Sequence, residues 1–371
     1  MKAVRYLGNS KCKIIDVPIP RIKPNEVLIS MRTSGICGSD LWGFRIKNGD
    51  IDALTKSKVK INKIPIPGHE PAGIVEQVGS CVKNVGIGER VAVYHKRGCG
   101  YCEYCLSGKV YFCKNVRAIS EHIDGSCADY LVTDGINCLR LPDDFTFDDG
   151  AILMCSGGTA YSGIKKIKPS GADVVAVYGL GPVGLCSLIF AKAFGSKVIA
   201  IDINENRLKL AKSFGADYTI NSRNDVMKNK VYEVSAGIPI SAMDTVKKIF
   251  EITGEKGADA AILGTGNIQA RINAINCLKK GGRMVLLGMS ESKDLKGDMQ
   301  QALEIAILKE LSIFGSNVFP ISMYWEILDF LRFKSIAIGK IITHKFRIDE
   351  AQTAFEMAET ESYGKVAFIW D

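Results

Sequence analysis

The sequence predicts an α/β protein of two domains, one β-rich and one built on a doubly wound parallel sheet. Three observations predict it. At 371 residues the chain is long enough for two separate cores. Up to about residue 155, short apolar runs such as Val27-Leu28-Ile29 and Gly73-Ile74-Val75 are broken by Gly, Pro and charged turns, a strand pattern. From 157 to about 314, strand-like and helix-like segments alternate, as in a parallel sheet covered by helices. The expected domains are therefore 1–156 with 315–371, and 157–314.

Within the second domain the strands are VVAVY (174–178), KVIAI (197–201), DAAIL (259–263) and RMVLLG (283–288). Helices are expected over Arg207 to Phe214 and Ile268 to Lys279. From Gly315 the character is mixed, and the chain ends in a strand-like VAFIW. Two stretches are weakly specified. Arg45 to Lys63 is polar and lysine-rich, a surface loop or short helix, and in Ser222 to Ala242 Gly237 and Pro239 break any helix. No internal repeat or low-complexity tract is present.

Composition narrows the class. Hydrophobic residues make up 47% and charged residues 24%, which excludes disorder, collagen and a small disulfide scaffold. The net charge of +8 comes from scattered lysines and arginines without a long basic run, so it reads as a solubility term and no nucleic-acid partner is expected. The most apolar stretch, Val174 to Gly195, is interrupted by Gly179, Gly181, Pro182 and Gly184 and contains Lys192, so no membrane span is expected. The opening MKAVRYLGNSKCKIIDV carries strand alternation and no run of signal-peptide length. We expect a cytoplasmic protein, in which the twelve cysteines stay reduced.

The placement of those cysteines carries chemistry. Cys99-x2-Cys102-x2-Cys105-x7-Cys113 puts four thiolates on one short lobe, with Gly98, Gly100 and Gly108 to let the backbone wrap. Four sulfurs fit a closed, tetrahedral, structural Zn²⁺ site. The competing readings are a metal-free loop and an iron–sulfur cluster, and the spacing does not match the ferredoxin runs.

A second signal is Gly179-Leu180-Gly181-Pro182-Val183-Gly184, placed between a strand and an apolar helix. The first Gly permits a tight turn, the second lets the backbone approach a pyrophosphate, and the third lets helix and strand pack. The helix N-terminus adds free N–H groups and a positive dipole end. Asp202, at the end of the next strand, can accept hydrogen bonds from the adenosine ribose and would repel a 2′-phosphate, favouring NAD over NADP. Arg207 can reach the same ribose from the start of the following helix.

Cys37, His69 and Cys155 are each unremarkable alone, since a lone Cys is usually core filler and a lone His a satisfied polar group. Together two Cys and one His would make a three-ligand zinc site with an open fourth position. Spacing alone does not assemble them.

Resemblance does. The sequence resembles the zinc-dependent medium-chain alcohol dehydrogenases over essentially its whole length. The resemblance is carried by Cys37-Gly38-Ser39-Asp40, Gly68-His69-Glu70, the four-cysteine lobe, Cys155 before Ser156-Gly157-Gly158-Thr159, and the Gly179–Gly184 turn with Asp202. It implies a GroES-like catalytic domain and a Rossmann NAD-binding domain with the active site in the cleft between them. It also implies two Zn²⁺ per chain, a small-molecule alcohol or polyol substrate, and a homodimer or homotetramer formed through a sheet edge near Arg283 to Gly288 or Leu311 to Gly315. Cys37, His69 and Cys155 would hold catalytic zinc, Glu70 would lie behind the metal, Asp40 would orient His69, and Ser39 would take the substrate proton. Lys365 falls where the family can place a basic residue by the pyrophosphate.

Departures from the family pattern matter too. Trp42 stands where some members carry a histidine that ends a proton relay. Cys155 stands where polyol-oxidising relatives often supply a carboxylate. His95 stands where alcohol dehydrogenases put an apolar pocket wall, and it reads either as a polar contact for a substrate with extra hydroxyls or as a surface loop residue. Two alternatives compete with the dehydrogenase: a zinc-free enone or quinone reductase on the same fold, and a non-enzymatic zinc-binding protein.

Overall fold

The computed structural model describes residues 1–47, 64–225, 227–233, 239–289, 297–360 and 364–371. Most of the weakly specified stretch Arg45 to Lys63 lies outside them. The chain divides into two compact units, Met1–Gly158 with Phe319–Glu361 and Lys365–Asp371, and Thr159–Val318 with Ser362–Gly364.

The first unit is built on a seven-stranded sheet. Lys365–Ile369, Glu26–Gly35, Glu70–Val78, Arg90–Val93 and Cys138–Arg140 lie side by side and antiparallel; Ile342–Phe346 adds in parallel at one edge and Tyr130–Asp134 pairs with Glu26–Gly35. Glu26–Gly35 is buried along nearly its whole length, so both of its faces are covered and its burial does not alternate. A small hairpin, Lys2–Gly8 with Lys11–Asp16, packs Tyr6 against Phe44 and Phe355, whose rings stack at 5.2 Å. The Tyr6 hydroxyl donates to the Asp40 carbonyl at 2.8 Å, which ties the start of helix Asp40–Arg45 to this core.

The second unit is a six-stranded, fully parallel sheet. Counted in chain order its strands run 3-2-1-4-5-6: Tyr218–Asn221, Lys197–Asp202, Val174–Tyr178, Ala258–Leu263, Leu278–Leu286 and Ser312–Gly315. That order is the doubly wound Rossmann arrangement, whose ligand crevice opens where the strand order reverses, here beyond Tyr178 and Leu263. Ser312–Gly315 is one edge and Tyr218–Asn221 the other. The strand containing Arg283 has neighbours on both sides, so of the two edges expected from the sequence only Leu311 to Gly315 is one.

Local signals set the helix ends. The helix expected from Arg207 runs Glu205–Ser213, because the Asn204 side chain accepts from the N–H groups of Asn206 and Arg207 and starts it earlier. The helix expected over Ile268 to Lys279 stops at Asn276, because the next strand begins at Leu278. The unspecified stretch Ser222 to Ala242 contains an antiparallel pair, Met227–Glu233 with Pro239–Met243. Among the described residues no helix is long and apolar enough to cross a membrane.

Gly184 shows how tightly the glycine turn packs: a Cβ there would lie 1.8 Å from the Gly179 carbonyl oxygen. Gly184→Ala should therefore cost about 1–3 kcal/mol through overpacking, read as a lowered urea midpoint at constant m. An unchanged midpoint would contradict the close helix–strand approach.

Candidate active site

Among the described residues the first unit holds two clusters of side chains that could bind a metal. In each, the ligand atoms of four residues lie within 4.8 Å of one another.

The first cluster is Cys99, Cys102, Cys105 and Cys113. The short strands Lys96–Arg97 and Arg117–Ala118 pair and close the base of the lobe, while Gly100 and Gly108 take left-handed φ values of +88° and +75° to turn it. Sulfur separations are 3.5 Å for Cys102–Cys105 and 4.0 Å for Cys99–Cys105. Four sulfurs around one Zn²⁺ at the usual bond length would sit about 3.8 Å apart, so the set fits that ion. The N–H groups of Cys99 and Asn115 point at the Cys113 sulfur, and the Tyr101 N–H brings the Cys99 thiol down to about 6, which favours its thiolate.

The second cluster is Cys37, His69, Glu70 and Cys155. Sheet register creates it: Gly35 pairs with Glu70, so Cys37 leaves one strand beside the point where His69 enters the next. Cys155 arrives from a π turn, Leu153–Gly157, which continues helix Phe147–Ile152. That helix begins at a Thr146–Asp149 capping box, and its Asp148 accepts from Thr33 on the same central strand. π turns recur at functional sites because the extra residue re-aims a side chain.

Asp40 organises two of these groups. Its Oδ2 accepts from the Cys37 N–H at 2.8 Å, and its Oδ1 lies 3.0 Å from His69 Nδ1. Nδ1 thus carries the proton towards Asp40, leaving Nε2 for a metal. Ser39 Oγ is 3.5 Å from that Nε2. Burial works against a charged His69, but Asp40 outweighs it and holds the imidazole well above its ordinary value. The Cys37 thiol is pushed well down, chiefly by its hydrogen bond with the Cys155 thiol 3.9 Å away; burial opposes this, and Lys365 and His69 assist. Two sulfurs, one imidazole nitrogen and a carboxylate in reach are a donor set that fits Zn²⁺.

Behind the cluster lies a network the sequence reading did not foresee. Lys365 is 1% exposed and Glu70 is fully buried; Lys365 Nζ donates to Glu70 Oε1 at 2.5 Å and to Ser156 Oγ at 3.2 Å, and Ser156 donates to the same Oε1 at 3.2 Å. Lys365 is thus committed within this unit, where the resemblance had put a pyrophosphate contact. Burial drives the Glu70 carboxyl up to about 7 against the pull of Lys365. On Lys365 burial lowers the value, but Glu70 and the two thiols outweigh it and the ammonium is held above its ordinary range. Glu70 Oε2 has no partner and is sealed from solvent. The only sequence signal for this network was a lysine opening an otherwise apolar strand.

His95 is 4% exposed, so the surface-loop reading is corrected: its ring lies 5.3 Å from that of His69, and its Nδ1 is 2.8 Å from the Met154 carbonyl. Burial, then Lys96 and His69, hold its value well below the ordinary one. Trp42 is 39% exposed.

In the second unit, Gly179 takes φ +82°, Gly181 has open space beside its Cα, and Pro182 opens the helix Pro182–Ala193, with Val183 and Gly184 in its first turn. Asp202 is buried; its Oδ2 accepts from the Leu180 N–H at 2.6 Å and its Oδ1 from the Asn204 N–H at 2.9 Å. The carboxylate therefore stiffens the glycine turn itself and keeps free lone pairs. Arg207 Nη1 is 3.8 Å from Asp202, and its Nε is buried without a partner.

Comparison with known proteins agrees with this arrangement. The alcohol dehydrogenase GroES-like domain family matches residues 23–143, and the zinc-binding dehydrogenase family matches residues 182–332. The zinc-type alcohol dehydrogenase-like protein YphC of Escherichia coli is 32% identical over 369 residues, covering 99% of this chain and 98% of that protein. An L-threonine 3-dehydrogenase of Francisella tularensis is 31% identical over 368 residues, covering 96% and 95%. An alcohol dehydrogenase of Escherichia coli solved with NADH superposes with a TM-score of 0.79 at 27% identity, covering 100% and 99%.

Removing Lys365 alone would strand a buried carboxylate. Lys365→Met should cost about 3–5 kcal/mol, and adding Glu70→Gln should return a large part of it, measured as a double-mutant cycle by chemical denaturation. Equal losses in the single and double variants would show that the pair is not coupled.

Proposed function

The chain belongs to the zinc-dependent medium-chain alcohol dehydrogenases, oxidoreductases acting on CH–OH groups, and from that premise we propose that it oxidises a hydroxyl of a polyol, sugar or cyclitol reversibly to the carbonyl with NAD. The observation that carries the reading is the convergence of Cys37, His69 and Cys155 on one point, with Asp40 fixing the His69 ring.

When bound, Zn²⁺ polarises the substrate oxygen and the nicotinamide accepts hydride. The chain's own residues do the rest. Cys37, His69 and Cys155 would hold the catalytic metal. Cys99, Cys102, Cys105 and Cys113 hold a second, structural ion, which gives two per chain. Ser39, beside His69 Nε2, takes the hydroxyl proton. Trp42 offers no basic nitrogen to pass it on, so this chain lacks the outer relay group at that position. Glu70, with Oε2 unpartnered, is the reserve carboxylate for ligand exchange.

The Gly179–Gly184 turn and the helix behind it receive the pyrophosphate. Asp202 takes the ribose hydroxyls and disfavours a 2′-phosphate, with Arg207 alongside. The polyol preference rests on His95, a polar group buried beside the metal ligands. The edge strand Ser312–Gly315 is the natural place for a second copy to extend the sheet into a homodimer, alone or within a tetramer, and a cytoplasmic location stays the expectation drawn from the sequence. The zinc-free reductase and the non-enzymatic reading are both disfavoured by two assembled metal clusters with Ser39 at the second.

Purified protein should contain two zinc ions per chain. Cys37→Ala or His69→Ala should lose one of them and all turnover while still binding NADH; near-normal activity in either removes the metal role. Ser39→Ala should lower kcat by about 10²-fold or more at neutral pH, and an unchanged rate would take Ser39 out of the mechanism. Asp202→Ala should narrow the ratio of kcat/KM for NAD over NADP, and a constant ratio would refute the ribose contact.

A further inference from the structure

We propose that Ser120 is a positioning residue for His69: its hydroxyl takes a share of the imidazole Nδ1 proton, and a strained turn anchored to the four-cysteine lobe holds it there. The proposal rests on the reading of Cys37, His69 and Cys155 as a metal centre and adds to that centre a residue other than its ligands and Asp40.

His69 Nδ1 has two side-chain oxygens in reach, Asp40 Oδ1 at 3.0 Å and Ser120 Oγ at 3.5 Å. A carboxylate only accepts, so the proton is on Nδ1 and the hydroxyl is its second acceptor. The result is a three-centre bond with a short arm to Asp40 and a long arm to Ser120. Asp40 opens the helix Asp40–Arg45, whereas Ser120 follows the strand Arg117–Ala118, so the two acceptors come from separate segments. Together they limit rotation of the ring about its Cβ–Cγ bond, which keeps Nε2 presented to a metal.

The backbone at Ser120 is strained. Its φ is +69°, a left-handed value that costs a side chain and that glycine adopts freely. Strain of this kind persists where the surroundings over-determine it, and here they do. The Ala118 carbonyl accepts from the N–H groups of Glu121, His122 and Ile123, the Ala118 N–H donates to His122 Nδ1 at 3.1 Å, and the Ser120 N–H donates to the Ile123 carbonyl at 2.9 Å. Ile119, 1% exposed, donates its N–H to the His95 carbonyl at 3.0 Å. Ala118 pairs with Lys96 in the two short strands that close the base of the four-cysteine lobe, so the lobe runs straight into this turn. None of these bonds uses the Ser120 side chain. Glycine would fit the turn without cost, so what serine adds is the hydroxyl, and the hydroxyl meets His69. Among the described non-glycine residues with left-handed φ, Ser120 is the one whose side chain bonds to a member of either metal cluster.

Two variants separate the hydroxyl from the strain. Ser120→Ala removes the hydroxyl and keeps the strained backbone; Ser120→Gly removes both. Zinc affinity is measured on the full chain by competition with a chelator, the ion of interest being the one that His69→Ala loses. Both variants should weaken that ion by about tenfold, the lower end of what outer partners of a ligating imidazole contribute, and leave the four-cysteine ion unchanged. Wild-type affinity in both variants overturns the proposal. So does a loss in Ser120→Ala that Ser120→Gly restores, because that result belongs to backbone strain alone. If the wild type binds no ion at Cys37, His69 and Cys155, the metal reading has failed, and the His69 Nδ1–H resonance of the metal-free protein decides on Ser120. The chain has four histidines, so ¹⁵N-histidine signals can be assigned by single variants. A His69 Nδ1–H resonance that both variants shift and open to faster exchange with water supports the contact. A resonance that neither variant moves ends it.

Discussion

Gly35 faces Glu70 across two antiparallel strands, and the chemical part of the first unit grows from what that register brings side by side. Cys37 lies just past one member of the pair and His69 just before the other. Glycine at position 35 leaves room for the pair behind it, since a Cβ there would stand 2.3 Å from Glu70 Oε2 and 2.9 Å from Lys365 Cε and one of these side chains would have to move. Asp40 then locks the two ligand-bearing segments together through one carboxylate, and Tyr6 holds the backbone of Asp40 from the core side. The third ligand comes from a helix tied to the same central strand through Thr33 and Asp148. A shift of one residue in this pairing would turn the strand faces over and separate the ligands.

Charge explains the rest of the arrangement. Two thiolates would balance a divalent cation held there, and a neutral imidazole would complete the set without adding charge. A third anion, Glu70, is then in excess in a buried place, and Lys365 with Ser156 compensates it on Oε1 alone. The asymmetry leaves Oε2 buried with no hydrogen-bond partner among the described residues. A buried carboxylate balanced in this one-sided way costs stability wherever the balancing cation is lost, which is why a lysine interrupts the apolar face of the last strand.

The sequence made the second unit more legible than the first. Parallel strands buried on both faces write continuous apolar runs, and Gly179, Gly181, Gly184 and Asp202 sit at fixed offsets because the turn's backbone dictates them. The four-cysteine lobe was readable because all its ligands fall within one short loop. The open cluster was not readable from spacing, because its members come from three segments joined only by sheet pairing; family resemblance supplied what local pattern could not. The Lys365–Glu70–Ser156 network and the Met154–His95 bond escaped for the same reason, being contacts between residues distant in the chain. His95 sat evenly between pocket and surface in the sequence, and only its burial separates the two.

The central claim is that Cys37, His69 and Cys155 grip one metal ion open to an alcohol. Replacing zinc by Co²⁺ and recording the ligand-field and sulfur charge-transfer bands tests it most directly. The account predicts two tetrahedral, sulfur-bound Co²⁺ signals, one indifferent to alcohol and one of mixed sulfur–nitrogen character that shifts when alcohol is added. A single all-sulfur signal that no alcohol perturbs would contradict it.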